Sequence, residues 1–339
     1  MKTLRFLPFA VLLAVAAVVL AGCGGGGSKS VPQDAVAVVG SDTITKAQFN
    51  TLMDSAKSTY KARKTAFPKV GTPQWDSLKN QAVTYLVQES ELEQKGKELG
   101  VTVTAKDVDA RIAQIKTQYF QNSDKKYEAE LKATGLTDAR LRDDLRAQLL
   151  SEKLFQKVTS DVKVSDSAVK AYYSSHKSSY TTAASRTVRH ILVNSKSLAD
   201  QLESQLKGGA DFAALAKKYS KDPQSAKVGG KLTISKGQTV KPFEDAAFSL
   251  KTNEISAPVH STYGWHIIQP LGPVTPAKTT PFSAVKEQIR QSLLSTKKTQ
   301  TMTDWVDQLK KSYAKKVSYQ AGYEPPATST STTTTATTG

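Results

Sequence analysis

The chain is 339 residues long and carries 47 Lys+Arg against 30 Asp+Glu, a formal charge of +17. That length suggests about two domains, and 39% hydrophobic residues are enough for a core, which argues against wholesale disorder. One cysteine excludes an internal disulfide framework and any multi-cysteine zinc or iron–sulfur site, and four histidines leave little for a histidine metal cluster.

The first residues differ from the rest. Lys2 and Arg5 precede an apolar run from Phe6 to Leu20, broken only by Pro8. The run is too short for a comfortable spanning helix and is followed by small residues, as in a cleaved export signal. Leu20-Ala21-Gly22-Cys23 resembles the bacterial lipobox at all four positions. The resemblance implies a lipoprotein signal peptide over 1–22, cleavage before Cys23, a diacylglycerol thioether on its sulfur and an acyl chain on its new amine. Two or three acyl chains, at about 0.8 kcal/mol per buried methylene, anchor a protein stably where one chain would not. Residues 23–35 then form the lipidated cysteine and a flexible tether that begins Gly24 to Gly27 and Ser28. The expected location is extracytoplasmic, on the bacterial cell membrane. No chromosome lies there, so nucleic acid is not an expected partner.

Val36-Ala37-Val38-Val39 predicts a short strand closed by Gly40-Ser41-Asp42, and Thr45 caps a following helix. Trp75, Leu78, Ala82, Tyr85, Leu86, Leu92 and Leu99 fall near one face of a second helix that Gly100 ends. Thr104 with Asp107 caps a third helix, to about Phe120. Thr137 caps a fourth that carries Leu141, Leu145 and Leu149, and Ser165 starts another. Residues 36–180 are thus expected to form one helical, chaperone-like domain. The Ser/Thr/Ala-rich stretch 178–185 reads as a boundary. From 186 to 272 the pattern becomes α+β, with strands near 188–193 and 264–269 and short helices at 196–206, 210–219 and 242–249. Pro270, Pro273, Pro276 and Pro281 mark a linker. Phe282, Val285, Ile289 and Leu293, continued by Met302, Trp305 and Leu309, predict a long helix over 281–318 that packs on the helical domain. The Thr/Ser-rich tail, 324–339, is expected to be disordered.

Several familiar signatures fail. Gly-x-Ser-x-Gly is absent, and Gly229-Gly230-Lys231 lacks the first glycine of a P-loop, because Ser225 stands there. His260 and His266 offer no simple metal-ligand spacing. Instead the α+β segment carries an ordered series: Arg189-His190-Ile191-Leu192-Val193, Ala210-Asp211-Phe212, Tyr219-Ser220-Lys221-Asp222-Pro223, Gly229-Gly230-Lys231-Leu232, Lys241-Pro242-Phe243-Glu244-Asp245-Ala246-Ala247-Phe248, and Tyr263-Gly264-Trp265-His266-Ile267-Ile268. This series resembles a parvulin-type peptidyl-prolyl isomerase domain over 186–272. The flanks, through Ala37-Val38-Val39-Gly40 and Ile44-Thr45-Lys46-Ala47-Gln48-Phe49, are similar to extracytoplasmic foldases of the PrsA/SurA kind. The implied fold class is α+β. A mostly helical N-terminal domain is completed by the C-terminal helix, and the inserted parvulin domain is a small antiparallel sheet flanked by short helices.

The resemblance implies isomerisation of Xaa–Pro bonds in unfolded exported polypeptides, with no cofactor and no metal. It carries a catalytic role to His190, Asp222 and His266, and a substrate-binding role to Leu232, Phe243, Tyr263 and Phe248. Other readings of these residues stay open: two satisfied core histidines, a turn-forming aspartate before Pro223, and plain core. A holdase chaperone with a weak or inactive parvulin domain is the alternative function. The chain departs from many relatives, which read Gly-Gly-Asp-Leu-Gly-Trp-Phe where this one has Gly229-Gly230-Lys231-Leu232-Thr233-Ile234-Ser235, and Thr239 stands where Met is common. A shallower or more polar pocket is expected. Only Lys196 follows the first strand, so phosphate selectivity is not expected. Segments 186–272 and 281–318 each carry a surplus of five positive charges, so the charge reads as spread along the chain, with anionic lipid or cell-wall polymer as further partners.

Overall fold

The computed structural model describes residues 30–326, and it divides into two compact units. One holds the residues up to Val162 and from Thr296; the other is Lys163–Ser295. The expected signal segment 1–22, Cys23 and the expected tether as far as residue 29, and the tail from 327, lie outside the described residues. No helix among the described residues is long and apolar enough to cross a membrane.

The first unit opens with β1 (Ala35–Val39) and β2 (Asp42–Thr45). Thr45 closes a capping box with Gln48 and starts α1 (Lys46–Ala62). Thr72, Thr104, Ser123 and Thr137 cap α2 (Pro73–Glu98), α3 (Ala105–Phe120), α4 (Asp124–Thr134) and α5 (Asp138–Val158). Each cap accepts an otherwise orphaned N–H and is worth about 1 kcal/mol, so the hydroxyl residues largely decide where these helices begin. The sequence pattern did not predict α4, which buries only Tyr127 among charged neighbours. Val36, Val39, Phe49, Val83 and Val87 form one core cluster, and Val108, Ile112, Ile115, Leu141 and Leu145 form another. Each such side chain contributes roughly 1.5–3 kcal/mol by leaving water.

The second unit continues with α6 (Asp166–Ser175), β3 (Thr181–Thr182), β4 (Ser185–Val193), α7 (Lys196–Lys207), α8 (Phe212–Tyr219) and α9 (Pro223–Ala226). Then come β5 (Lys231–Ser235), α10 (Lys241–Ser249), β6 (Val259–Ser261), β7 (Gly264–Pro270) and β8 (Lys278–Thr279). Strands β5, β4, β7 and β6, in that order, make an antiparallel sheet. Successive residues of β4 point to opposite faces. Ile191 and Val193 pack with Leu202, Phe212 and Ala216 of α7 and α8. Val188 packs with Ile234, Phe243, Ala247 and Ile268 on the other face, beneath α10. The buried Arg186 donates from Nη1 to the carbonyls of Ala247 and Leu250 and from Nε to that of Gly272, which ties the end of α10 to the sheet.

Two expected boundaries need correction. Residues 163–180 belong to the second unit and not to the helical domain. The apolar face of α6 explains this: Val169 is buried against Val285 and Ile289, and Asp166 pairs with Lys286 and Arg290. The last helix, α11 (Phe282–Tyr313), is shorter than 281–318 and contributes to both units. Its first half packs on α6, and only its second half, through Leu309 and Tyr313, enters the first unit's core. After it, β9 (Val317–Tyr319) leaves helix to pair with β1, whose second edge would otherwise stay open.

Candidate active site

Strands β4 and β7 pair with Leu192 opposite His266 and His190 opposite Ile268, so His190 and His266 lie diagonally on one face of the sheet. Their rings are nearly parallel, 19° apart, with centroids 5.7 Å apart. The two Nδ1 atoms are 3.4 Å apart. Phe243 of α10 stands edge-on to both, at 5.3 Å from His190 and 5.1 Å from His266. The imidazoles are only 5% and 4% exposed.

Buried imidazoles need partners for both nitrogens. His190 Nε2 lies 2.9 Å from Asp222 Oδ2 and 2.9 Å from Ser225 Oγ. The Ser225 hydroxyl donates to the same Asp222 oxygen at 2.5 Å. His266 Nε2 lies 2.7 Å from Ser261 Oγ, which also accepts the Tyr263 N–H at 3.1 Å. Asp222 is ionised at neutral pH, so His190 carries its proton on Nε2 and presents a bare Nδ1. His266 then donates from Nδ1 to His190, and its bare Nε2 accepts from Ser261. One direction of hydrogen bonding thus runs from Ser261 through both rings to Asp222. Asp222 also caps α9, with Oδ1 accepting the Gln224 N–H at 3.2 Å, so the turn-forming aspartate and the imidazole partner are two oxygens of one residue.

The electrostatics agree with two neutral rings. Burial pushes His266 down to about 4, and its neighbour His190 lowers it further. Burial also lowers His190, although Asp222 opposes the shift. Partial burial works against the Asp222 carboxylate, but hydrogen bonds from Ser225, His190 and the Gln224 amide carry it below its ordinary value.

Backbone contact brings the Asp222 loop to His190. The His190 N–H donates to Gly230 O at 2.9 Å. Gly230 has φ +82°, and a Cβ there would meet the His190 carbonyl oxygen at 2.4 Å, so only glycine fits. Leu232 pairs with Val188, two residues before His190, and so reaches the same face. Phe243 and Leu232 therefore stand with the imidazoles. Tyr263 follows the Ser261 anchor, and its side chain is 69% exposed. Phe248 packs into the cluster beneath α10 with Lys236 over its ring at 5.6 Å; its ring is not among those that face the imidazoles. Thr239 Oγ1 is buried without a partner. Ser225 and Ser261 were not singled out from sequence. Ser225 had a local signal, since a hydroxyl three residues after a helix-capping aspartate is brought back beside it. Ser261 had none, because only the β6–β7 pairing carries it to His266. Among the described residues, no group of three or more His, Cys, Asp or Glu could hold a metal ion.

The family model described as a SurA-like N-terminal domain matches residues 2–155, and the one described as a PPIC-type PPIase domain matches residues 164–287. The foldase protein PrsA of Clostridium acetobutylicum is 32% identical over 286 residues, covering 80% of this chain and 85% of its own. That of Caldanaerobacter subterraneus subsp. tengcongensis is 33% identical over 290 residues, covering 84% and 87%. The chain belongs to the PrsA foldase family. Like other PrsA foldases it combines a chaperone-type N-terminal domain with a parvulin-type peptidyl-prolyl isomerase, and the imidazole pair lies within the PPIC-type match. The solution structure of NmPin, the parvulin of Nitrosopumilus maritimus, is also similar at 44% identity, covering 27% of this PrsA-family chain and 99% of its own, with a TM-score of 0.25.

Proposed function

We propose that His190, His266 and Asp222 are the catalytic centre for Xaa–Pro isomerisation, with Phe243 and Leu232 as the apolar cup for the proline ring and Tyr263 at its rim. The observation that carries this is the directed hydrogen-bond chain from Ser261 to Asp222 beneath Phe243. A Xaa–Pro amide rotates over a barrier of about 18–20 kcal/mol, while its isomers differ by only about 0.5–1 kcal/mol. A catalyst therefore needs to favour the twisted amide over both planar forms, and no bond has to break. The neutral rings form a polarised floor whose dipoles are fixed in advance, and the Asp222 charge at its end disfavours the planar carbonyl. Phe248, on the same helix, packs into the cluster between α10 and the sheet. Isomerisation of an Ala-Xaa-Pro-Phe peptide tests this. His266→Ala and Asp222→Ala are each expected to lower kcat/KM at least about tenfold, a loss of about 1.4 kcal/mol in transition-state stabilisation. A wild-type rate equal to the uncatalysed one would reject the reading.

The chain further acts on exported, unfolded polypeptides outside the cytoplasmic membrane, held there by lipid on Cys23, with its basic surface available to anionic lipid or cell-wall polymer. The Leu20-Ala21-Gly22-Cys23 sequence supports this. Cys23→Ser is expected to move the protein into the soluble fraction on cell fractionation; full retention in membranes would sink the anchor.

A further inference from the structure

The Asp222 carboxylate is fixed first within its own short helix. Its Oδ1 accepts the Gln224 N–H, and its Oδ2 takes the Ser225 hydroxyl proton and meets His190 Nε2. The helix α9 that carries these groups has only four residues, so it depends on ties to β4. One tie is backbone throughout: the Ser225 carbonyl accepts the Gly230 N–H at 2.8 Å, and the Gly230 carbonyl accepts the His190 N–H at 2.9 Å. The other lies at Leu192. Alternate residues of a strand direct their backbone groups to opposite neighbours, so Leu192 directs its pair to the same side as His190. Strand β5 begins at Lys231, opposite Arg189, and does not reach Leu192.

The segment between α8 and α9 takes the place of β5 there. Ser220 Oγ accepts the Leu192 N–H at 3.1 Å, and the Lys221 N–H donates to the Leu192 carbonyl at 2.7 Å. Ser220 ends α8 with φ −66° and ψ 134°, an extended conformation that turns the chain away from the helix. Its Oγ also accepts the Asp222 N–H at 3.4 Å. One hydroxyl thus engages both lone pairs, one on the strand that carries His190 and one on the residue that carries the carboxylate. Among the described residues, Ser220 makes no hydrogen bond to either imidazole.

We infer that Ser220 is a positioning residue that keeps the Asp222 carboxylate against His190 Nε2. The inference rests on the isomerase reading of the His190–Asp222–His266 centre. Without the hydroxyl, the Leu192 and Asp222 N–H groups lose their acceptor, and part-buried amides without a partner turn toward water. That draws the Asp222 loop off β4, while the bonds of Lys221 and Gly230 keep it attached. The carboxylate is displaced rather than removed. Leu232 and Phe243 stand on β5 and α10, so the apolar cup stays as it is and only the stabilisation of the twisted amide suffers. A loss of that kind lowers kcat and leaves KM little changed.

The test is a double-mutant cycle in the full chain, read on an Ala-Xaa-Pro-Phe peptide. Ser220→Ala is expected to lower kcat about three- to tenfold and to leave KM within about twofold. Ser220→Thr keeps the hydroxyl and suits an extended backbone, so it should restore the wild-type rate. In the Asp222→Ala background, Ser220→Ala should cost less than about a further 1.5-fold, because a residue that acts through another is not additive with it. Should Ser220→Ala lose the wild-type circular dichroism, Ser220→Cys, whose sulfur accepts only weakly, takes its place in the same cycle. A wild-type kcat in Ser220→Ala, a change confined to KM, no restoration by Ser220→Thr, or a loss that multiplies fully with that of Asp222→Ala would each overturn the inference while leaving the isomerase reading intact. An Asp222→Ala variant as fast as the wild type would instead overturn both.

Discussion

Each imidazole at the centre of the site is defined by its hydroxyl partner. Ser261 matters because it holds the bare Nε2 of His266 and accepts the Tyr263 N–H at the same time. Removing it strands a buried ring nitrogen and a backbone donor, which costs about 1–3 kcal/mol for each group left unsatisfied. Ser261→Ala is accordingly expected to lower the isomerase domain's urea midpoint and to release His266 from its single tautomer. Imidazole 15N shifts report the second effect, and an unchanged tautomer would contradict the assigned hydrogen-bond direction. Ser225 cannot be treated the same way, since it touches both Asp222 and His190 and its loss would merge two effects.

At the scale of elements, α10 is the piece that must stay in place, because Phe243 on its first turn faces both imidazoles. Its opposite end is held by Arg186, whose guanidinium answers the carbonyls of Ala247 and Leu250 without any carboxylate partner shown. A cation at a helix C-terminus also meets the negative end of the helix dipole. Arg186→Met retains most of the buried stem but leaves those carbonyls unsatisfied. It is expected to destabilise the second unit by about 2–3 kcal/mol by chemical denaturation; a change below about 0.5 kcal/mol would mean that packing alone fixes the helix.

At the scale of the whole molecule, the two units respond to acid in opposite senses. Burial raises Glu91 to about 7, against the pull of Lys310, and raises Glu89 to about 7, with Glu93 adding to the shift. Folding of the first unit takes up protons between the ordinary carboxylate value and about 7, so stability is fully present below that window and is lost as pH rises through it. In the second unit the sign reverses. His266 and His190 titrate lower folded than unfolded, so the unfolded chain binds more protons and stability falls as pH drops from about 6.5 toward 4. Calorimetry at pH 7 and pH 5 should therefore show one transition moving up and the other down, each by roughly 1–3 kcal/mol in stability. Transitions that shift together would refute this.

The sequence by itself determined the local features. Hydroxyl caps placed α1, α3, α5 and α6, because capping depends on residues three apart, and apolar periodicity placed α2. The ordered motifs of 186–272 identified the isomerase domain, and the proposed His190, Asp222 and His266 stand in those contiguous signatures. Tertiary structure alone decided what depends on distant pairing. Strand β9 joined β1 across the length of the chain, which no local pattern announces. Residues 163–180 went to the second unit because Val169 found its apolar partners on α11. Ser261 reached His266 only through strand register. Asp222 and Leu232 reached the imidazole pair because β5 and the Asp222 loop are drawn to β4 by backbone hydrogen bonds that no local pattern announces.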